Sequence, residues 1–219
     1  QAGAVGPGTW LRRAIEHDTL SSVILFGPAG TGKTTLARII AHTTRAEFVE
    51  VSAVTGTVKD LREQIDAAKS RLVINGRRTI LFVDEIHRFN RGQQDALLHA
   101  VEDRVVVLVG ATPENPFFEV NQALLSRSRV VELHSLTDED ISSICRHALA
   151  SSDGLAGKYA LDDEALARVC LLAGGDARSA LTTLELACEL ADARDGRGDD
   201  GPIAVSAEDV DQATPTRAQ

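Results

Sequence analysis

The sequence predicts an α/β fold in which helices cover a parallel sheet, followed by a small helical domain. Up to Leu133, short and nearly continuous runs of Val, Ile and Leu alternate with stretches of helical character. This alternation is typical of a parallel sheet buried on both faces, because each strand must then be apolar on both sides. After Leu133 we find no further β-branched run, and the remaining pattern predicts helices.

The predicted elements begin with a short helix that Thr9 is placed to cap. Five strands follow, at residues 22–26, 47–51, 79–84, 105–111 and 129–133. Helices lie between them at 33–42, 58–74 and 93–101. The second part has helices at 137–150, 162–173 and 176–191, with an Asp- and Gly-rich surface loop at 191–202. We therefore expect a core over residues 1–134 and a helical domain over 135–219.

Charge and composition limit the classes of function. The chain has 32 acidic and 23 basic residues, a net charge of -9, which argues against a surface that binds nucleic acid or anionic membrane over its whole extent. Any DNA contact must then be local. Cys145, Cys170 and Cys188 form no C-x-x-C pair and are expected to behave as small hydrophobic residues. No run of about 18 apolar residues and no leader pattern is found, so we expect no membrane contact and a cytoplasmic location.

A glycine-rich loop lies between the first strand of the sheet and the helix that follows it. Residues 27–34 read Gly-Pro-Ala-Gly-Thr-Gly-Lys-Thr and fit the phosphate-binding pattern G-x-x-x-x-G-K-[ST]. In this pattern backbone N–H groups surround the phosphates, Lys33 reaches the β- and γ-phosphates, and the Thr34 hydroxyl binds magnesium. The predicted nucleotide contacts are Gly27, Pro28, Ala29, Gly30, Thr31, Gly32, Lys33, Thr34 and Thr35.

Two carboxylates end the third predicted strand. Asp84 and Glu85 follow the apolar run Ile-Leu-Phe-Val. We expect Asp84 to orient Mg²⁺, directly or through water, and Glu85 to polarise the attacking water. The alternative is that Asp84 only caps the next helix. P-loop GTPases lack a Glu here and carry an N-K-x-D motif that is absent, and small-molecule kinases generally lack this acid, so the pair favours ATP hydrolysis.

Polar residues also follow the fourth predicted strand. Thr112 and Asn115 reach the same sheet edge as the glycine-rich loop, because the carboxyl ends of parallel strands meet there. Either side chain could hydrogen-bond the γ-phosphate or the attacking water. Each is also an ordinary turn residue beside a proline. The residues alone leave both interpretations open.

Arginines at two places could neutralise charge on a transferring phosphoryl group. Arg127 and Arg129 open the last predicted strand, and Arg127 is the stronger candidate for a contact with a neighbouring subunit's nucleotide. Arg178 begins the third helix of the second domain, where the helix dipole disfavours a cation. We expect Arg178 to reach the phosphates, with a surface salt bridge as the alternative.

Together these residues resemble the AAA+ family, and within it the replication-associated recombination protein A group (RarA, also called MgsA), relatives of clamp loaders and RuvB. The supporting stretches are 27–41, 47–62, 80–101, 110–131 and 175–187, with DEIHRFN at 84–90 particularly characteristic. The resemblance implies a P-loop NTPase core with a five-stranded parallel sheet of order 5-1-4-3-2 and a small helical lid. It makes Lys33 and Thr34 Walker A, Asp84 and Glu85 Walker B, Thr112 sensor 1, Arg127 the arginine finger and Arg178 sensor 2.

The sequence departs from the family pattern at two positions. Pro113 stands where the family usually repeats threonine, and Ala29 replaces the second proline usual in the loop. Pro113 lacks a backbone N–H and a hydroxyl, which weakens the sensor 1 assignment. The resemblance also implies a segment before Gln1 that helps form the adenine pocket and an oligomerisation region after Gln219. We therefore expect this piece to bind ATP poorly and to assemble weakly.

The resemblance further implies how ATP is used. Family members use ATP and Mg²⁺, and they couple ATP turnover to DNA at stalled or damaged replication forks. The expected partners are forked or single-strand/double-strand junction DNA, further copies of the chain in a homo-oligomer, and single-strand-binding or replisome proteins. The expected location is the nucleoid. A clamp-loader or branch-migration subunit and a non-hydrolysing ATP-dependent assembly module are the alternatives. Candidates for DNA contact are Lys59, Arg62, Lys69 and Arg71, for which a solvated helix face is an equal alternative. Residues that could link DNA to Glu85 are His87, Arg88 and Arg91.

Overall fold

A computed structural model describes residues 5–195 and 201–214 of the chain. The described residues divide into two compact units. The first holds residues 5–28 and 32–134, and the second holds residues 29–31, 135–195 and 201–214.

A parallel sheet forms the centre of the first unit. Over the described residues it has five strands: β1 Val23–Phe26, β2 Glu47–Ser52, β3 Thr79–Asp84, β4 Val106–Thr112 and β5 Arg129–Glu132. All neighbours pair in parallel in the order β2-β3-β4-β1-β5, which is 5-1-4-3-2 read from the other edge. The predicted fold class and strand order are therefore confirmed.

Helices cover both faces of this sheet. They are α1 Trp10–Glu16, α2 Lys33–Thr43, α3 Val58–Asn75, α4 Arg91–Glu102, α5 Pro116–Glu119 and α6 Gln122–Ser126, with a 3-10 turn at Ile86–Arg88. Thr9 caps α1 as predicted, since its side chain accepts from the Arg12 N–H. Helix α4 starts two residues earlier than predicted, because Asn90 and Gln93 form a capping box that fixes the first turn. Helices α5 and α6 are too short to show a helical period in the sequence.

Strand β3 illustrates why the strands read as continuous apolar runs. Leu81 and Val83 belong to one hydrophobic core, together with Leu97 of α4. Phe82 belongs to a second core on the other face, together with Ile40 of α2. Successive side chains of a strand point to opposite faces, and here both faces are covered by helices. No polar alternation is left for a solvent face.

The second unit is helical with a small sheet. Its helices are α7 Asp138–Ala150, α8 Asp163–Ala173, α9 Ala177–Asp195 and α10 Ala207–Ala213. The expectation that no strand follows Leu133 is wrong, because β6 Tyr159–Leu161 and β7 Ile203–Val205 pair in parallel. Strands of three residues are too short to show a period. Helix α9 continues past its predicted end at 191, and residues 196–200 of the predicted loop lie outside the described residues.

The three cysteines lie in the core of the second unit. Cys145, Cys170 and Cys188 are buried, free thiols among residues such as Val169 and Leu184. Burial raises the pKa of Cys145 and of Cys188 to about 11 and also raises the pKa of Cys170. Thiols with such pKa values are poor nucleophiles at neutral pH, as the predicted role of small hydrophobic residues requires.

Across residues 5–195 and 201–214, no helix has the length and apolarity needed to cross a bilayer.

Candidate nucleotide site

The glycine-rich loop connects β1 to α2 and has an unusual backbone. Gly27, Gly30 and Gly32 have φ of 146°, 67° and 90°, values that favour glycine. Gly27 is required for a second reason, since a Cβ on it would lie 2.0 Å from the carbonyl oxygen of Leu133. The loop therefore keeps its shape through glycine backbone angles and close packing of backbone on backbone.

Positive charge and N–H groups gather at the end of this loop. The Lys33 ammonium donates to the carbonyl oxygens of Gly27 at 2.8 Å and Pro28 at 2.7 Å. Helix α2 starts beside them, and its N-cap residue, Gly32, has no side chain that could accept the first N–H groups of the helix. The first N–H groups of a helix have no partner within it and carry a partial positive charge. Together with the ammonium they suit an anion such as a phosphate.

The two carboxylates at the end of β3 differ in their surroundings. Asp84 Oδ1 accepts the backbone N–H of Glu85 at 3.1 Å. Helix α4 is capped by Asn90, so capping of α4 does not account for Asp84. Glu85 has φ of 55° and ψ of 42°, left-handed values that cost a non-glycine residue about 1–2 kcal/mol. Four other non-glycine residues in the described part of the chain have φ of 51–55°, so this backbone alone does not mark Glu85 as a functional residue.

His87 and Arg88 approach the Glu85 carboxylate from two sides. Arg88 Nε lies 3.3 Å from Glu85 Oε2, and His87 Nε2 lies 3.6 Å from the same oxygen. His87 Nε2 is also 3.9 Å from Glu114 Oε1. The His87 side chain is only 10% exposed, whereas that of Arg88 is 57% exposed. Both residues were predicted to link DNA to Glu85. The structure places both side chains beside its carboxylate, and the link to DNA stays a prediction.

Thr112 and Asn115 have different roles in the structure. Thr112 ends β4 and is fully buried, and its carbonyl oxygen accepts the N–H of Gly27 at 3.2 Å. Thr112 therefore adjoins the start of the glycine-rich loop. Its hydroxyl lies 3.0 Å from His87 Nδ1 and accepts the Glu114 N–H at 3.1 Å. Asn115 accepts the Phe117 N–H at 3.0 Å and caps α5, which is the local role of a turn residue.

Arg127 lies at the amino ends of the strands, whereas the loop leaves the sheet at their carboxyl ends. It ends α6 and stands two residues before Arg129, which pairs with the first residue of β1. The loop, in contrast, follows the last residue of β1. Its guanidinium donates to the Ala123 carbonyl at 2.9 Å and pairs with Glu102 at 2.6 Å. Arg127 also lines an open cleft of about 750 Å³. The guanidinium of Arg129 instead stacks 4.4 Å from the centre of the Trp10 ring, which gives it a packing role.

Arg178 lies in α9 of the second unit. Its side chain is exposed, and it forms no ion pair with any residue in the described ranges. The surface salt bridge considered for it is therefore not found there. Its contact with nucleotide phosphates stays a prediction.

The basic residues considered for DNA contact are only partly available. Arg71 donates to the Thr79 hydroxyl at 2.7 Å, and Lys59 lies 3.8 Å from Glu63. Arg62 and Lys69 line a groove between α3 and α4, where acidic residues also lie: Asp66, Asp95 and Asp103. This groove carries mixed charge. It is therefore a weaker candidate for phosphate contact than a purely basic surface would be.

Comparison with known proteins identifies the family. The pattern of the ATPase family associated with various cellular activities (AAA) matches residues 23–136. Replication-associated recombination protein A of Escherichia coli is 48% identical over 197 residues, which cover 89% of this chain and 44% of that protein. The ATPase WRNIP1 of Dictyostelium discoideum is 42% identical over 178 residues, 81% of this chain and 20% of that protein. The chain thus spans less than half the length of these relatives.

Solved structures agree on the fold. RuvB of Thermotoga maritima, a Holliday junction branch migration motor, matches with a TM-score of 0.73 and 25% identity over 93% of this chain and 64% of that chain. The AAA domain of FIGL-1 in complex with ADP matches with a TM-score of 0.66 and 22% identity over 94% and 79%. With the glycine-rich loop, the Asp-Glu pair and the strand order already described, these matches show that the chain belongs to the AAA family of ATPases and resembles replication-associated recombination protein A over most of its length.

Proposed function

We propose that this chain binds and hydrolyses ATP, with residues 1–134 as the nucleotide-binding core and residues 135–219 as a helical lid. The observation that carries the proposal is the meeting of three features at one sheet edge. The glycine-rich loop follows β1, Thr112 ends β4, and Asp84 and Glu85 end β3, and these three strands are neighbours in the sheet. Ligands of open α/β sheets bind at the carboxyl ends of the strands.

The residues at this edge suit the parts of ATP and its metal. Lys33 exchanges its loop carbonyls for the β- and γ-phosphates, and the N–H groups of the loop and of α2 surround them. The Thr34 hydroxyl and the Asp84 carboxylate are oxygen donors of the kind that Mg²⁺ prefers. When bound, Mg²⁺ would neutralise charge on the phosphates. Glu85 orients and polarises the attacking water.

A neighbouring copy of the chain is proposed to complete this site. Arg127 lies at the other edge of the sheet from its own loop, so its natural target is the nucleotide of the next subunit. A fixed guanidinium there stabilises charge on the transferring phosphoryl group. Arg178 contributes a second cation from the lid in this proposal. The functional unit is then a homo-oligomer.

ATP turnover is proposed to act on DNA at replication forks, with the nucleoid as its location. Support comes from relatives named for replication-associated recombination. Arg88, exposed and 3.3 Å from Glu85, offers a link between a DNA phosphate and the hydrolytic carboxylate, and Arg91 follows at the exposed start of α4. The likeness to RuvB favours a branch-migration ATPase as the second candidate. A non-hydrolysing assembly module would not need the water-polarising carboxylate of Glu85.

The test is ATP turnover by the purified protein with and without forked DNA. Glu85→Gln should lower kcat by at least about a hundredfold, because the water loses its polarising carboxylate. Arg127→Ala should lower kcat by about a thousandfold, the usual contribution of an arginine finger. Glu164→Gln and Arg146→Ala are matched controls, since both residues are exposed and neither is a predicted site residue.

Turnover that is insensitive to Glu85→Gln and Arg127→Ala would refute the hydrolytic mechanism. Stimulation by forked DNA but not by an equal length of duplex supports the role at forks. Equal rates with and without DNA at low salt would refute that role while leaving the ATPase proposal in place.

A further inference from the structure

We infer that His87 is a positioning residue that connects the Thr112 hydroxyl to the Glu85 carboxylate, and that Thr112 acts on hydrolysis through His87 rather than by touching the γ-phosphate. This inference rests on the proposed ATPase function. Its basis is the place of the His87 ring, which is nearly buried between the ends of β3 and β4 with one nitrogen toward each partner.

The distances around Thr112 favour one direction for this connection. The Glu114 N–H donates to Thr112 Oγ1 at 3.1 Å, so the hydroxyl proton remains to be donated. His87 Nδ1 lies 3.0 Å from the hydroxyl, closer than the Glu114 carbonyl at 3.4 Å. A neutral imidazole that accepts at Nδ1 carries its proton on Nε2. The proton of His87 therefore faces the carboxylates.

Glu85 Oε2 is the nearer of the two carboxylate oxygens to that proton. The 3.6 Å from His87 Nε2 to Glu85 Oε2 is longer than a hydrogen bond, and Glu114 Oε1 is further still at 3.9 Å. Glu114 is 59% exposed and Glu85 is 33% exposed, so Glu85 is the less solvated partner and is attracted more strongly. A shift of under 1 Å would close the contact and fix the carboxylate where it orients water.

Burial of Thr112 argues against a direct role for its hydroxyl at the phosphate. The residue has no exposed surface, and its hydroxyl already contacts the Glu114 N–H and His87. A hydrogen bond to a phosphate would use the single proton of the hydroxyl, so the bond to His87 would have to be broken. Action through His87 keeps the Thr112–His87 contact and needs only the shift of under 1 Å that brings His87 Nε2 to Glu85 Oε2.

The experiment measures kcat, KM and the Kd of a fluorescent ATP analogue for purified variants. His87→Ala should lower kcat by about tenfold to a hundredfold, with the Kd changed by less than about twofold, because the carboxylate is misplaced while the loop is intact. His87→Gln, which returns an N–H near the Nε2 position, should recover more kcat than His87→Asn, which replaces only the Nδ1 side. His147→Gln is the control, on the exposed face of α7.

A double-mutant cycle with Thr112→Val distinguishes the two roles of Thr112. If Thr112 acts through His87, then Thr112→Val lowers kcat in the wild-type background and has no further effect in His87→Ala. Losses that multiply would show an independent phosphate contact and overturn the inference. So would unchanged kcat in His87→Ala, or a loss seen only in Kd. If Glu85→Gln abolishes turnover while the His87 variants keep it, the inference about His87 fails and the ATPase proposal stands. If the wild-type protein shows no turnover, both the ATPase proposal and the inference fail.

Discussion

At the scale of single residues, the backbone of Gly27 is the strictest constraint in the phosphate-binding loop. Its φ of 146° disfavours any side chain, and the Leu133 carbonyl occupies the space that a Cβ would need. Gly76, which ends α3, also has a positive φ, of 68°, but a Cβ there meets no described atom within 4 Å. Gly76 is therefore a milder case than Gly27, with a left-handed backbone and no steric contact.

Gly27→Ala should destabilise the protein by about 1–3 kcal/mol more than Gly76→Ala, because an overpacked site adds to a backbone angle that lies outside the left-handed region of Gly76. Thermal or urea unfolding of the two variants measures the difference. Gly27→Ala should also weaken binding of an ATP analogue, since the loop must move away from Leu133. Equal unfolding free energies for the two variants would show that the Leu133 contact yields at no cost.

Single residues also show what the sequence could reveal about the site. Lys33, Asp84 and Glu85 were identifiable because a strand, a turn motif and a charged strand end leave a local signal. His87 gave a weaker signal, because its importance comes from Thr112, which is distant in sequence and adjacent in the fold. The roles of Arg127 and Arg178 depend on a neighbouring subunit or on lid position. Their assignment from the sequence therefore stays a prediction.

At the scale of elements, capping side chains explain where three helices begin, since α4, α7 and α8 start directly after Asn90, Thr137 and Asp162. Strong periodic segments such as α3 and β3 were predicted closely, whereas α10 was missed because it has only seven residues. Its start is fixed by a capping box in which Ser206 accepts from the Asp209 N–H and Asp209 accepts from the Ser206 N–H and hydroxyl. Arg194 of α9 adds an ion pair to Asp209 at 3.0 Å. The second unit therefore depends on one buried carboxylate.

The pKa of Asp209 determines how its contribution to stability changes with pH. Burial raises the pKa, but the Ser206 hydrogen bonds and the Arg194 charge outweigh it, so the pKa lies below its ordinary 3.8. Its contribution to stability is then complete above pH 3.8 and is lost as the pH falls through the lowered value. Asp209→Asn should cost about 1–3 kcal/mol at neutral pH and should remove this part of the acid sensitivity. Unfolding curves from neutral pH to pH 3 measure both effects.

Asp163→Asn is the matched control for Asp209→Asn, because Asp163 also lies in the first turn of a helix but its side chain is 98% exposed. Its substitution should change the unfolding free energy by under about 0.5 kcal/mol. A similar effect for both variants would show that burial and the Arg194 pair add nothing to the cap.

At the scale of the whole molecule, the proposed division of the site between subunits can be tested by mixing. Lys33→Ala removes phosphate binding from one subunit, and Arg127→Ala removes the arginine that it offers to the next. Each variant alone should be nearly inactive. A mixture should regain part of the activity, because an Arg127→Ala subunit with an intact loop receives the arginine of a Lys33→Ala neighbour. Mixed and unmixed samples are compared at equal total protein.

Absence of any gain on mixing, with mixed oligomers verified by a tag, would place Arg127 in its own subunit's site or outside catalysis. Restoration by Lys33→Ala but not by a Lys33→Ala, Arg127→Ala double variant would attribute the gain to the arginine itself. The double variant is therefore the control for effects of assembly alone.

Arg127 and the glycine-rich loop lie at opposite ends of the strands, and this determines how many nucleotide sites of an assembly are complete. A contact that joins one edge of a subunit to the opposite edge of the next is head-to-tail, so it repeats in one direction. An open row of such subunits always leaves one terminal nucleotide without its arginine, and closing the row into a ring supplies it. Under the proposed mechanism, turnover per subunit would rise with row length and become uniform only on closure, so the rate itself would report the state of assembly.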